Sequence, residues 1–336
     1  MNEIRIDPLS GHRTILAGAR SLRPGGSPAL PLGERAPESI DPDRDPFAEG
    51  NEGRTPPELY AVRPEASAPD SPGWTVRVVA NLYPALSPGG DATEVPAPAE
   101  RGPDTELLQS LPAVGGHEVI INAPHPVLSL ADLPLEQVVA AVEVWRERMR
   151  VHSASAYVQL IVNERREAGA SLPHTHAQLY ALDFVPAAVA RERERAGAYT
   201  TRTMGQSLLG DLVAEEVRLG ERIIAIDDEA VLMAPYASRS PFQLMLAPRR
   251  PRPRFESEGP SGAALLHDGL LRLARHLGAS PPLNLWVRTA PRGAEHFCWR
   301  IDVLPRLTHL AGLELSTGVN LNIVAPEHAA ALLRDA

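Results

Sequence analysis

The chain has no lysine: its 33 basic side chains are all arginines, set against 42 acidic ones, and the formal net charge is -9. An acidic chain argues against nucleic acid as the ligand, because phosphate backbones select for basic surfaces. Small anions stay open, and any phosphate gripped by a cationic side chain must be gripped by the planar guanidinium fork. Cysteine is nearly absent too. The single Cys298 excludes an intrachain disulfide and any zinc site built on a CxxC pair. No apolar run approaches the roughly 18 residues that a membrane-spanning helix needs. The opening MNEIRIDPLSG lacks the basic and apolar regions of a secretory signal. A cytoplasmic protein with no membrane partner is the expectation.

What is present can fill a core: 43% of the 336 residues are hydrophobic, enough for one large or two medium domains. From about Pro24 to Pro72, and again from Pro88 to Glu106, Pro, Gly, Asp and Glu dominate without periodicity, the composition of long loops. Between them WTVRVVANLYPAL alternates and breaks at Pro84, as a strand running into a turn, and HEVIINAPHP reads as a second strand stopped by Pro124. Leu135, Val138, Val139, Val142, Trp145 and Met149 then recur at helical spacing behind Asp132 and Pro134. AYVQLIVN and HAQLYAL are further strands. The second half repeats this order: RIIAIDDEAVLMAPYA, FQLMLAPRRP, a helix carrying Leu265, Leu266, Leu270, Leu273 and Leu277, then LNLWVRTAP and HFCWRIDVLP. Superposed, His174, His176 and Gln178 fall on His296, Cys298 and Arg300. The self-similarity predicts a tandem duplication of an α+β unit, its period being too long for a solenoid.

The stretch GASLPHTHAQLYAL, residues 169–182, carries the most chemistry. On a strand, residues i, i+2 and i+4 share one face, so His174, His176 and Gln178 are expected to project together. Such a row also suits the solvent face of an ordinary amphipathic strand. Gly169, Ala170 and Ser171 favour chemistry, since a small-residue turn lets backbone N–H groups and a hydroxyl approach a phosphate. A histidine beside such a cradle can attack phosphorus if its other nitrogen is held so that the attacking one is unprotonated.

Taken in order, RIDPLSGHRTILAGARSLRP, DPFAEGNEGRTPPE, WTVRVVANLYPAL, GHEVIINAPHPVLSLADL, NERREAGASLPHTHAQ, HFCWRIDVLPRLTHLAGLELSTGVNLN and PEHAAALLR cover nearly the whole chain. The set resembles the galactose-1-phosphate uridylyltransferase branch of the histidine-triad superfamily. The resemblance implies two fused histidine-triad-like modules, each an antiparallel sheet with packed helices. The first, residues 1–195, would hold the nucleophile and nucleotide-phosphate site, and the second, residues 196–336, would contribute hexose contacts. It implies a double displacement, in which His176 attacks the α-phosphorus of a UDP-sugar, expels the hexose 1-phosphate and carries the nucleotide until another hexose 1-phosphate takes it. On the same resemblance His174 belongs to the catalytic motif, Gln178 bonds a nonbridging phosphate oxygen, and Ser171 and Asn163 make other phosphate contacts. Arg20 and Arg23 match a basic pair near the phosphates, and Asn81 falls where the nucleotide is held. Glu314 and Asn320 match residues that bond hexose hydroxyls. Members commonly pair, so a homodimer is implied.

The chain departs from that family at the metal. Where many members carry CPFC, residues 45–48 read Asp45, Pro46, Phe47 and Ala48. Asp45, His125 and His174 remain as candidate zinc ligands, three where a closed structural site normally has four. Activity is therefore expected not to need zinc. Some members have a second metal site using a histidine pair where Cys298 and Arg300 stand, with a glutamate near Glu192; no metal is expected there, and Cys298 should be a packed thiol. PRRPRPR, residues 248–254, reads as a solvated loop and ARERERAG as the exposed face of a short helix. Three functions stay open: a UDP-glucose:hexose-1-phosphate uridylyltransferase; an adenylyltransferase or a phosphorylase of ADP-glucose or a dinucleotide, with phosphate itself removing the nucleotide; and a nucleotide-sugar binding protein without turnover. The presence of His176, Gln178 and Ser171 together argues against the last.

Overall fold

The computed structural model describes residues 2–18, 20, 39–65, 67–88, 112–257 and 259–336. The chain opens with a hairpin, β1 (Glu3–Ile6) and β2 (Arg13–Leu16). It continues through β3 (Glu58–Val62), β4 (Val76–Ala80), β5 (Gly115–Ile121), helix α1 (Leu135–Val151), β6 (Tyr157–Glu164) and β7 (His176–Leu182). Helices α2 (Ala187–Arg202) and α3 (Leu208–Leu219) follow, then β8 (Ile223–Ile226), β9 (Ala230–Met233), β10 (Leu244–Pro248), α4 (Ala263–Leu277), β11 (Leu283–Arg288) and β12 (Arg300–Pro305). The short α5 (Gly312–Thr317) leads to β13 (Asn320–Asn322), which joins β2 in parallel, and α6 (Pro326–Arg334) closes the chain.

Ten of these strands form one sheet, in the order β3-β4-β5-β7-β6-β11-β12-β10-β9-β8, with every neighbouring pair antiparallel. Both halves have the same wiring: three strands in succession, a helix, then two strands of which the second inserts beside the third. The halves are thus parts of a single sheet, joined where β6 pairs with β11 and Asn163 faces Asn284. The boundary expected near residue 195 falls within α2.

The two faces of the sheet are covered differently, and this asymmetry makes the site. On one face α1, α4 and α6 bury their apolar stripes, including Val138, Trp145, Leu270, Leu273 and Leu333, against Val78, Ile120, Leu160, Leu179, Leu232 and Leu285. Side chains of this size, fully buried, contribute on the order of 1.5–3 kcal/mol each. The Trp145 indole N–H donates to Asn122 Oδ1 at 3.0 Å, so the largest core side chain leaves no polar atom unpaired. On the other face, the second half is roofed by α3, whose Leu209 and Val213 pack with Val231, Met233, Met245 and Cys298. Over the first half, among the described residues, Phe47, Trp74 and Leu172 pack against Val79, Val119 and Ile121. A hollow remains there.

The strands read from sequence appear as β4 to β12, while β1, β2 and β3 lie in stretches that read as loop or carried no strand signal. In β1 and β3 the apolar side chains do not mark a buried face: Ile4 and Ile6 in β1 and Leu59 and Tyr60 in β3 are exposed. The helix expected over ARERERAG is α2, 16 residues long, and its Glu192 is buried rather than solvated. No helix among the described residues is long and apolar enough to cross a membrane.

Candidate active site

The hollow is a cavity of about 530 Å³. Its floor is the open face of the first half-sheet, with Val79 on β4, His117 and Val119 on β5, and His176 and Gln178 on β7. The segment Pro46–Phe47 and Arg54–Pro56 forms one wall, and Asn81 to Tyr83 and Ser171–Leu172 complete it. The wall is anchored from beneath: buried Arg77 donates to Thr55 Oγ1 at 2.7 Å and pairs with Glu58 at 3.2 Å and Asp70 at 2.5 Å. Ser171 reaches the cavity through a turn in which Gly169 takes φ +91°, a left-handed conformation that a side chain would oppose.

His176 opens β7 and its ring is fixed from behind. Nδ1 lies 2.7 Å from the backbone carbonyl of His174, to which it donates, and the edge of Phe47 meets the ring at 5.1 Å between centroids. With the proton held on Nδ1, Nε2 carries the lone pair. Burial pushes the imidazole below its ordinary pKa, outweighing the carbonyl contact that favours the charged form. The result is a neutral histidine with an oriented lone pair, lining a cavity.

His174 does not share that face. β7 begins only at His176, so the two-residue alternation does not extend back to 174, and the His174 ring turns away from the cavity into the protein, fully buried. Nδ1 lies 2.6 Å from Asp45 Oδ2 and Nε2 lies 2.9 Å from the Ala123 carbonyl oxygen. The other oxygen of Asp45 accepts from the Phe47 N–H at 3.0 Å. These residues do not fit a zinc site: both nitrogens of His174 are engaged by hydrogen bonds, His125 is exposed, and no metal-sized group of three His, Cys, Asp or Glu side chains occurs among the described residues. At the second metal position, Arg300 donates to Glu192 at 3.0 and 3.2 Å and to Asp302 at 2.9 Å, so a guanidinium fills the space between the carboxylates. The space beside it, lined by Cys298 and Arg300, is only about 20 Å³. Cys298 is a buried thiol, pushed up to about 11 by desolvation.

The other residues expected from sequence divide into those the fold gathers and those it does not. His176, Gln178, Ser171 and Asn81 line the cavity together. Asn163 does not; its Oδ1 accepts from Asn284 Nδ2 at 2.7 Å, and the same amide donates to Ala168 O at 2.7 Å, bracing the turn before Gly169. Arg20 is exposed and outside the lining, and Arg23 lies outside the described residues. Glu314 is exposed on α5, with its carboxylate accepting from the Ala311 N–H at 3.0 Å, and Asn320 sits on β13; neither lines the cavity. Sequence reading missed His117, Tyr180, Phe47 and Arg54. The only signal for His117 is its alternation with Val119 on β5, and the β5–β7 register that sets it opposite Tyr180 is invisible in one sequence.

Comparison with known proteins gives first a class. Residues 66–186 match the family profile described as galactose-1-phosphate uridyl transferase, N-terminal domain, and residues 135–335 match a domain of unknown function, DUF4921. An ADP-glucose phosphorylase of Arabidopsis thaliana is 27% identical over 99% of this chain and 92% of its own length. A galactose-1-phosphate uridylyltransferase of Cryptococcus neoformans is 27% identical over 98% of this chain and 89% of its own. The solved structure of the Arabidopsis ADP-glucose phosphorylase with bound ADP-glucose superposes with a TM-score of 0.80 at 26% identity, covering 100% of this chain and 99% of that one. The protein is an enzyme of the nucleotidyltransferase type. More narrowly, the chain is similar to the galactose-1-phosphate uridylyltransferase family, by profile over residues 66–186 and by sequence over nearly its whole length.

Proposed function

We propose that the protein transfers a nucleotidyl group from a nucleoside diphosphate hexose by way of a covalent intermediate on His176. The observation that carries this reading is the held imidazole: Nδ1 donates to the His174 carbonyl, Nε2 keeps its lone pair, and the ring lines a cavity of about 530 Å³ beside Gln178, Asn81 and Ser171. In the first step Nε2 bonds to the α-phosphorus, the bond from that phosphorus to the bridging oxygen breaks, and hexose 1-phosphate leaves with the electron pair. In the second, a phosphate oxygen of the acceptor attacks the same phosphorus and the bond to Nε2 breaks. The amide N–H groups of Gln178 and Asn81 and the Ser171 hydroxyl face the nonbridging oxygens, where preorganised donors act most strongly. Arg54 on the wall supplies positive charge in the fork geometry.

The donor and acceptor have two readings. The motif resemblance supports UDP-glucose with a hexose 1-phosphate acceptor. The likeness to ADP-glucose phosphorylase, over 99% of this chain by sequence and 100% by structure, supports ADP-glucose with inorganic phosphate as acceptor, and this is the reading we favour. Glu314 and Asn320, outside the cavity, would bear on hexose hydroxyls only from a second copy of the chain, in a homodimer.

The experiment is to mix the protein separately with α-labelled ADP-glucose and UDP-glucose, quench, and look for acid-labile label on the chain. Phosphate or galactose 1-phosphate is then added to see which discharges it. Label from one donor, absent in His176→Gly, is the expected result. Label that persists in His176→Gly overturns the covalent route, and label from UDP-glucose discharged only by galactose 1-phosphate overturns the preference for ADP-glucose.

A further inference from the structure

We propose that His117 is a positioning residue of this site, which as its Nε2–H tautomer aims the Gln178 amide and through its other nitrogen holds the Asn81–Ala85 turn against the cavity. The inference rests on the reading that Gln178 faces the transferred phosphorus. The backbone decides the tautomer: the Ala85 N–H, which can only donate, lies 3.1 Å from Nδ1, so Nδ1 carries the lone pair and the proton sits on Nε2. That Nε2 stands 3.2 Å from Gln178 Oε1, and the same oxygen accepts from the Tyr180 hydroxyl at 2.9 Å. The His117 Nε2–H fixes which end of the amide is which, because a flip would set the NH₂ group against that donor, whereas the Tyr180 hydroxyl can serve either end. The Gln178 NH₂ is therefore committed away from His117 and Tyr180.

Asn81 is held in the same manner. Its Oδ1 accepts from the Tyr83 N–H at 2.8 Å, which leaves its NH₂ 3.1 Å from His117 Nε2; with the proton on Nε2 two donors meet there, and no hydrogen bond joins Asn81 to His117. The Gln178 amide thus has its oxygen occupied and its NH₂ turned from His117 and Tyr180, the arrangement that suits an anion. The His117 ring stacks on Tyr180 with centroids 4.1 Å apart, and burial lowers its proton affinity, which favours the neutral form that the Ala85 contact needs. Protonation would replace the acceptor at Nδ1 with a donor facing another donor.

The two halves of this role can be separated by substitution. In His117→Asn the amide oxygen takes the place of Nδ1 and still accepts from Ala85, while the donor to Gln178 is lost. In His117→Gln the amide nitrogen reaches the place of Nε2 and still donates to Gln178, while the acceptor for Ala85 is lost. The assay is single-turnover labelling of His176 by whichever of ADP-glucose and UDP-glucose labels the wild-type chain, read as a maximal rate and a half-saturating concentration. His117→Asn is expected to lower the rate on the order of tenfold, the scale of one hydrogen bond, with half-saturation little changed. His117→Gln is expected to raise half-saturation on the order of tenfold with the rate nearly kept. In a Gln178→Ala background, itself slowed on the order of a hundredfold, His117→Asn should cost nothing more. Equal losses in both parameters for both variants, or a His117→Asn penalty undiminished by Gln178→Ala, overturn the proposal. Gln178→Ala labelling at the wild-type rate overturns the phosphate role of Gln178 and this proposal with it, whereas a slowed Gln178→Ala beside a fully active His117→Asn overturns the proposal alone.

Discussion

Removing Asp45 should cost both stability and rate, because its two oxygens hold two different parts of the site. One lies 2.6 Å from His174 Nδ1 and the other accepts from the Phe47 N–H at 3.0 Å, all within the buried interior. Asp45→Ala leaves a buried ring nitrogen and a buried backbone N–H without acceptors, and an unsatisfied buried polar group costs about 1–3 kcal/mol. Two of them put the loss at about 3 kcal/mol, in line with the cost of breaking a buried pair from one side. Asp45→Asn keeps a carbonyl oxygen for one of the two donors and should lose about half as much. The rate effect follows from the chain of contacts: the His174 carbonyl holds His176 Nδ1, and Phe47 packs on the His176 ring. Letting both relax misplaces the lone pair and should slow labelling of His176 on the order of a hundredfold. Urea unfolding gives the first quantity and quenched labelling the second. A wild-type midpoint with a wild-type rate in Asp45→Ala would refute the argument from hydrogen bonds. So would stoichiometric zinc in the wild-type chain that is lost in Asp45→Ala, since Asp45 would then be a ligand.

Three further outcomes can be checked independently. Elemental analysis of protein purified without added metal, with activity read before and after prolonged chelation, should show unchanged activity; bound zinc whose removal abolishes turnover would contradict the hydrogen-bonded role of His174. Glu164 accepts from the Ser129 hydroxyl at 2.6 Å and the Leu130 N–H at 2.7 Å, yet burial pushes its carboxyl from 4.5 up to about 7. The folded state then binds its proton more tightly than the unfolded state, so the contribution to stability is full below pH 4.5 and is lost as pH rises to about 7, some 3 kcal/mol in all at roughly 1.4 kcal/mol per tenfold in proton affinity. Glu164→Gln should flatten the dependence of the unfolding midpoint between pH 5 and 7, and an unchanged slope would assign it to other groups. Cys298, buried and with its thiol near 11, should react with an exposed-thiol reagent only after unfolding; rapid reaction of the native chain would contradict its packing.

How much of this was legible depended on whether local pattern or long-range pairing decided the outcome. The helix from Leu135 and the strand HAQLYAL follow from periodicity because each buries one continuous face, and the repeat of segments across the halves matches the repeated wiring of the sheet. The strand β3 lies in a stretch whose composition reads as loop, since only pairing with β4 makes it a strand. His174 was expected beside His176; Asp45, far off in sequence, and the Ala123 carbonyl draw it to the other side. His117 and Tyr180 needed the β5–β7 register, and Glu192 needed the fold to bring Arg300 and Arg288 around it. Local chemistry marked His176 as the proposed nucleophile; the residues that hold its ring in place became visible only in three dimensions.

The joint between β6 and β11 sets a limit on how this chain can be divided. Asn284 belongs to the half whose own hollow has closed, yet its amide grips Asn163 and the Ala168 carbonyl just ahead of the Gly169–Ser171 turn. A gene fragment ending near residue 195 would encode His176, Gln178 and Ser171 but leave β6 as a raw sheet edge and that turn without its brace. The second half thus serves the first as a splint, holding the shape of the Gly169–Ser171 turn from outside it.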